Sequence, residues 1–277
     1  MKTKDHTTTD RLPYAARTDG PEHPPLPETI IGCRNVGIVG VPPLAIIRAL
    51  NQQGSTIHDL DEPIARAGLE TASPFLPQVY CAILRTVVVN ALHLDLEAIV
   101  IDTGPGKCDA ALHTATVLAD SLSIPVIPTN NTDTTPYGTP LCTTQGPLIE
   151  RMQRITAGVK SAAPYPAAPP PCRPTACFWG VPPRDFSILA PFPETTHIHG
   201  WTRCMENKTP ANHTLETMVD PAVPTVFFAQ SFCAKTALAR HLASRHPHAL
   251  YLDVDTHTSG SAKAKVEAFL EFAGAWR

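Results

Sequence analysis

The chain lacks several features that would narrow its function at once. No two of its eight cysteines are spaced as a CxxC pair, which excludes the local ligand clusters of zinc ribbons and ferredoxins. Charged residues make up only 17% of the chain and the formal net charge is −3, so charge favours neither nucleic acid nor an anionic membrane as a partner. The longest apolar stretch, residues 81–102, is broken by charged and polar side chains, and we expect no transmembrane helix.

The N-terminus also lacks an apolar segment. Residues 1–27 are polar and proline-rich, so we expect a flexible arm there rather than a signal peptide. Eight cysteines without a secretion signal fit a reducing compartment, and we expect a cytoplasmic protein. In such a compartment thiols are buried, catalytic or metal-binding, and any metal site here must draw its cysteines from distant parts of the chain.

What the chain does have is an alternation of strand-like and helix-like segments across residues 28–160. Short apolar runs typical of buried strands alternate with longer runs whose apolar residues recur at helical spacing. The predicted strands are residues 35–40, 55–60, 97–104 and 124–129. The predicted helices are residues 42–54, 78–94 and 108–123. This alternation predicts an α/β domain with a parallel sheet.

A proline-rich segment separates this domain from a second one. Six of the 14 residues in the segment 161–174 are proline, which predicts a stiff, extended linker. The alternation then resumes across residues 175–277, with predicted strands at 175–180, 196–201, 225–231 and 249–255, and predicted helices at 182–192, 233–246 and 261–276. The fold we predict is α/β, with two tandem open parallel-sheet (Rossmann-like) domains and a cleft between them.

Two cysteines occupy the same kind of position in the two predicted domains. Cys108 and Cys233 each follow a strand and open a helix, where helix N–H groups and the helix dipole favour a thiolate. Because the carboxyl ends of parallel strands face the ligand crevice, both thiols are expected in the cleft. Cys81, near the start of the preceding helix, can reach the same edge. Three converging thiolates describe an iron–sulfur site in which one iron has no cysteine ligand.

Four segments resemble, in order, those of the 2-hydroxyacyl-CoA dehydratase / benzoyl-CoA reductase family. They are VPPLAIIRALNQQGSTIHDL, VYCAILRTVVVNAL, EAIVIDTGPGKCDAA, and the C-terminal stretch that begins SFCAKTALARHLASRH and ends SAKAKVEAFLEF. The resemblance implies that Cys81, Cys108 and Cys233 bind a [4Fe–4S] cluster between two α/β subdomains. It further implies a separate ATP-dependent iron–sulfur activator as electron donor, assembly into homo- or hetero-oligomers, and radical dehydration or ring reduction of a thioester.

Two other classes of protein stay open at this stage. The chain could be a non-catalytic module that carries a cluster or transfers electrons. It could equally be a cluster-free α/β enzyme that uses cleft cysteines, such as a two-domain racemase. A faint phosphate-loop pattern at residues 102–106 lacks the GK[ST] ending, so we do not expect nucleotide hydrolysis by this chain.

Three further groups carry weaker hypotheses. A mixed cysteine and histidine set offers zinc ligands, although its spacing matches no common zinc finger: Cys172, Cys177, His197, His199 and Cys204. Residues 129–139 form a loop rich in hydroxyl and amide groups, which suits either a polar ligand or plain solvent exposure. Asp253 and Asp255 end a predicted strand, where they position a substrate or cap the next segment. No role is assigned to Cys33 or Cys142.

Overall fold

Two four-stranded, all-parallel β-sheets form the framework of the computed structural model, which describes residues 26–104, 106–134, 140–165, 169–255 and 258–275. The first sheet contains β1 (Asn35–Val39), β2 (Thr56–Asp59), β3 (Ala98–Asp102) and β4 (Val126–Thr129). The second contains β5 (Cys177–Gly180), β6 (His197–His199), β7 (Thr225–Gln230) and β8 (Ala249–Val254). The predicted α/β fold with two open parallel sheets is confirmed. The predicted arm, residues 1–27, lies almost wholly outside the described residues.

Eight α-helices accompany these strands in the described part of the chain. The first half carries α1 (Leu44–Gln52), α2 (Ala82–His93), α3 (Asp109–Ser121) and α4 (Leu148–Gly158). The second half carries α5 (Trp201–Asn207), α6 (His213–Thr217), α7 (Lys235–Ala243) and α8 (Gly260–Phe272).

The prediction of a helix over residues 182–192 is wrong. Only a 3-10 turn, Phe186–Leu189, forms there, because prolines flank the segment and remove helical N–H donors. Helices α5 and α6 lie in a stretch whose polar composition predicted neither. All of α5 is buried, and its charged groups pair internally: Arg203 and Glu206 are 3.4 Å apart, one helical turn along.

Local sequence explains the elements around the site. All five residues of β3, AIVID, are buried, as expected of a parallel strand covered on both faces. Helix α1 starts after two prolines and ends before Gly54, whose φ of +80° is the left-handed conformation that stops a helix and favours glycine. These short connections keep consecutive strands parallel and bring their carboxyl ends to one edge of each sheet.

The two sheets have the same strand order, and the edges formed by the carboxyl ends of their strands face each other. The orders are β2-β1-β3-β4 and β6-β5-β7-β8. In each sheet the chain adds its second strand on one side of the first and its third strand on the other side, so the strand order reverses between β1 and β3 and between β5 and β7. Such a reversal leaves a crevice outside the strand ends. Gly40 follows β1 and Asp102 ends β3, while Val181 follows β5 and Gln230 ends β7. All four residues line cavities enclosed by both halves of the molecule.

Helix α4 joins the halves further. It packs on α5, and the Arg151 guanidinium donates to the carbonyl of Thr196 in the second half at 2.7 Å. One buried cluster runs from Ile38 of β1 to Phe178 of β5. The boundaries predicted at residues 160 and 175 stay predictions; the described part of the proline-rich segment forms no helix, and Pro171 makes a single β-bridge with Thr144. Among the described residues, no helix is long and apolar enough to cross a membrane.

Candidate functional site

All three predicted site cysteines line one cavity of about 360 Å³ between the facing sheet edges. Cys81 and Cys108 come from the first half and Cys233 from the second half. Each lies where a loop meets a helix: Cys81 and Cys108 are the N-caps of α2 and α3, and Cys233 lies two residues before α7. We refer to this space as the cysteine cavity. A cleft that gathers cysteines from distant parts of the chain is what the sequence predicted.

Cys81 and Cys233 make direct contact across the two halves. Cys233 packs against the buried cluster that includes Cys81. The neighbouring Cys81 thiol, together with the backbone N–H and ammonium of Lys235, lowers the pKa of Cys233 to about 7 despite its partial burial. The pKa of Cys81 is raised, first by its interaction with Cys233 and then because the thiol is buried. Of the two thiols, Cys233 is therefore the one that ionises more easily.

The position of Cys81 at a helix start does not lower its pKa overall. Backbone N–H groups of Ile83 and Leu84 do donate to its sulfur and lower its pKa. The contact with Cys233 and the burial of Cys81 outweigh them. Two adjacent thiols cannot both ionise easily, and the backbone N–H and ammonium of Lys235 favour the thiolate at Cys233.

The backbone is strained immediately before Cys233. Phe232 has a φ of +62°, in the left-handed region of backbone conformation, where a bulky residue is an outlier. Its side chain is also largely exposed, at 55% of its surface. The turn from β7 into α7 thus holds a conformation that local preference disfavours. Strained turns of this kind are concentrated at functional sites.

Cys108 stands apart from this pair. Its side chain is exposed at the rim of the cysteine cavity. Tyr80 lies near Cys108 and Cys81, since burial and then the charges of these two cysteines raise the pKa of its hydroxyl. Within the described ranges, no three cysteine, histidine or acidic side chains are grouped closely enough to hold a metal ion. The three thiols therefore share a cavity while only two of them touch.

Two lysines and a tryptophan supply the cavity's electrostatics. The ammonium of Lys107 lies 4.0 Å from the centre of the Trp201 ring, and that of Lys235 lies 5.2 Å from it. Lys107 also pairs with the buried carboxylate of Asp102 at 3.3 Å. Lys235 pairs with Glu216. Cations held over an aromatic ring in a partly desolvated cavity stabilise anionic groups such as thiolates.

The Lys107 side chain passes close to the backbone at Gly40, the residue that follows β1. Gly40 has a φ of +74°, and a Cβ at this position would stand 2.5 Å from the Lys107 Nζ. The Gly40 N–H donates to the carboxylate of Asp61 at 3.0 Å. Burial raises the pKa of Asp61, and the charge of Lys107 opposes that rise. Asp61 lines both the cysteine cavity and an adjoining one.

The cavity's three thiols are the ligand type of an iron–sulfur cluster, although their present positions do not converge on one metal ion. Thiolate is the ligand that iron–sulfur clusters take, and three thiols line the same space. Lys107 and Lys235 can offset the negative charge that thiolates and sulfide bring. Cys81, Cys108 and Cys233 are the residues that would hold such a cluster, and each would have to lose its proton to bind iron.

As far as the described residues extend, the other predicted groups do not assemble into sites. Of the zinc candidates, the Cys172 sulfur lies 3.8 Å from the Nε2 of His197, while burial lowers the pKa of His199 to about 3. Cys177 and Cys204 are buried, and neither lines a cavity described here. Cys142 is a core residue and Cys33 packs at the edge of the core.

The polar loop and the two aspartates have structural roles in the described residues. Asn131 is buried and donates to the carbonyls of Val41 and Lys208 at 2.9 and 3.2 Å. Residues 135–139 of the loop lie outside the described residues. Asp253 accepts from the Ser231 hydroxyl at 2.7 Å, and the Asp255 carbonyl accepts from Gln230.

Sequence reasoning missed the charged groups of the cleft. Lys107 and Lys235 were within two residues of predicted ligands, in GKC and CAK, and this proximity was the available signal. Trp201 and Asp61 gave no such signal, because they enter the cavity only when the two sheet edges face each other. No model of a known protein family matches the chain, and no curated protein sequence matches it.

Proposed function

We propose that this chain is an iron–sulfur protein in which Cys81, Cys108 and Cys233 bind a [4Fe–4S] cluster. The observation that supports the proposal is the single cavity that these three thiols line, drawn from both halves of the molecule. The cluster serves low-potential electron transfer to a substrate in an enzyme, or an enzyme subunit, of the dehydratase/reductase type. A separate ATP-dependent iron–sulfur activator supplies the electron, and the protein works in the cytoplasm, where its thiols stay reduced.

The residues of the cleft have separate tasks in this proposal. When bound, the cluster supplies a one-electron carrier with one iron free of cysteine. Lys107 and Lys235 hold positive charge beside the thiolates, and both are fixed over Trp201. Cys233 is the thiol most easily deprotonated, with its pKa at about 7, whereas the pKa of Cys81 is raised by its interaction with Cys233 and by burial.

A second candidate function is a cluster-free enzyme that uses the Cys81–Cys233 thiol pair. The observation that favours it is the packing of Cys233 against the cluster that contains Cys81, whereas the Cys108 side chain is exposed. A thiol and a thiolate form a proton donor and acceptor pair. In a racemase-type reaction the two sulfurs would separate so that the substrate carbon lies between them, with one removing the α-proton and the other delivering a proton to the opposite face.

Anaerobic reconstitution of the full chain with iron and sulfide tests the first proposal. We expect about four iron atoms and about four sulfides per chain, with the electron paramagnetic resonance signal of a reduced [4Fe–4S] cluster. The Cys233→Ser variant should lose the cluster. The matched control, Cys33→Ser, removes a thiol that lines neither cavity and should keep full iron content.

The same preparations separate the candidates. Wild-type protein that takes up no iron after anaerobic reconstitution would overturn the cluster proposal. If that metal-free protein also exchanged the α-proton of an amino or hydroxy acid with solvent deuterium, and Cys81→Ser abolished the exchange, the thiol-pair enzyme would stand in its place.

A further inference from the structure

A second cavity, of about 310 Å³, adjoins the cysteine cavity. The two share lining residues from both halves, namely Asp61, Ile83, Val181 and Trp201. We call the second space the arginine cavity, because Arg184 is the cationic side chain in its wall. Its volume lies in the range of small-ligand sites and is too small for a coenzyme A molecule to be enclosed.

Arg184 is positioned to bind an anion. It follows two prolines after β5, its guanidinium donates to the Thr86 hydroxyl, and its backbone N–H donates to the Gln230 side chain at 3.4 Å. Among the described residues, no carboxylate lies within ion-pair distance of it. The guanidinium is only partly exposed, and its N–H groups beyond Thr86 remain for a ligand. A planar guanidinium matches a carboxylate through two parallel hydrogen bonds.

Three acidic residues, Asp59, Asp61 and Glu62, also line this cavity and give part of its wall the reverse character. Glu62 is already paired with Lys160 at 3.4 Å, and Asp59 is fully buried. Asp61, at the junction with the cysteine cavity, is therefore the carboxyl best placed to accept a hydrogen bond from a ligand. Acidic groups on this wall disfavour a polyanion such as phosphate. Pro182, Pro183 and other apolar residues form the remaining surface.

We infer that the arginine cavity binds a small organic acid, with its carboxylate on Arg184 and a hydroxyl or ammonium group directed to Asp61. The inference goes beyond the cluster, because it uses none of the three cysteines. It also places the ligand next to the thiols, since Asp61 lines both cavities. The ligand class is thus a compact 2-hydroxy or 2-amino acid.

A matched set of three-carbon probes tests this by ligand-observed NMR and calorimetry on the full chain, with and without iron. Lactate carries the hydroxyl, alanine the ammonium, propionate neither, and lactamide lacks the carboxylate. We expect lactate or alanine to bind, propionate to bind several-fold more weakly, and lactamide to show no binding. The stronger of the first two identifies the donor group.

Variants locate the binding. Arg184→Gln should weaken binding of the acid about tenfold or more. Arg184→Lys should have an intermediate affinity, because it keeps the charge and loses the planar guanidinium. Asp61→Ala, which removes the acceptor oxygens, should abolish the preference for lactate or alanine over propionate. The control Arg34→Gln, at a largely exposed position, should leave affinity unchanged.

Circular dichroism first establishes that each variant is folded. Equal binding of lactamide, unchanged affinity in a folded Arg184→Gln, or no binding by any of the four probes would overturn the inference. Failure of the cluster alone would leave acid binding intact, because binding is also measured on metal-free protein.

Discussion

Cys108 and Cys233 occupy matching places in two sheets of the same strand order, yet their surroundings differ. Each follows the third strand of its sheet, β3 or β7, and precedes a helix. Cys233 touches Cys81 of the other half and has its pKa lowered to about 7. Cys108 is exposed and makes no such contact. Equivalent topology therefore places a thiol at the cleft, while contact between the halves decides its acidity.

The residues that end the third strands differ in a parallel way. Asp102, at the end of β3, accepts from the N–H groups of Gly104 and Asn131 at 3.1 and 3.2 Å and pairs with Lys107. Gln230, at the end of β7, donates to the carbonyls of Val254 and Asp255 at 2.8 and 2.7 Å. Asp102 at the end of β3 holds the cation Lys107 in the cavity. Gln230 at the end of β7 instead makes neutral hydrogen bonds to backbone carbonyls beside the strained turn before Cys233.

The sharpest way to test the contrast between the thiols is alkylation by iodoacetamide as a function of pH. Cys233 should react with a midpoint near pH 7 in the metal-free protein. Removing the thiol in Cys81→Ala leaves the Cys233 thiolate without its strongest stabilising contact, so the midpoint should move up toward the ordinary value of 9.0. Reactivity of Cys233 at pH 7 should fall about tenfold or more.

The control for this experiment is Cys81→Ser, which keeps a hydroxyl donor at the same place and should shift the midpoint less. Mass spectrometry of labelled peptides separates Cys233 from the other cysteines. A midpoint that stays near pH 7 in Cys81→Ala would show that the contact between the halves does not set the acidity of Cys233.

The second prediction compares the two strand ends by stability. Asp102→Ala leaves two N–H groups and Lys107 without their acceptor, and should cost about 2–4 kcal/mol of unfolding free energy in urea. Gln230→Ala breaks neutral hydrogen bonds only and should cost about 1–2 kcal/mol. Asp102→Asn keeps an acceptor oxygen and should fall between wild type and Asp102→Ala. Equal costs for the two alanine variants would remove the contrast between a charged and a neutral strand end.

The smallest expected effect concerns the two lysines. Lys235 lies close enough to lower the pKa of Cys233 by its charge, whereas Lys107 pairs with Asp102. Lys235→Gln should therefore slow alkylation of Cys233 at pH 7 by a few-fold. Lys107→Gln is the matched control, because the Lys107 ammonium also lies over Trp201, and it should leave that rate unchanged. A similar decrease in both variants would mean that the cavity's overall charge matters rather than the particular lysine.

The sequence predicted the framework better than the charged groups of the site. The all-buried run AIVID and the strand-to-helix position of Cys108 are local signals, and the strand predictions hold for all eight strands. Helix α5 escaped prediction because its charges pair with each other inside the protein. The convergence of Trp201, Asp61 and Arg184 depends on how two sheet edges face each other, which no local pattern encodes.

The central claim is that the exposed Cys108 joins the Cys81–Cys233 pair in holding one cluster. Iron and sulfide content of Cys108→Ser after anaerobic reconstitution, beside wild type, tests it most directly. We predict severe loss of the cluster in a variant that stays folded by circular dichroism, because an exposed thiol contributes little to the core. Full iron content in Cys108→Ser would contradict the account and leave Cys108 as the cap of a helix.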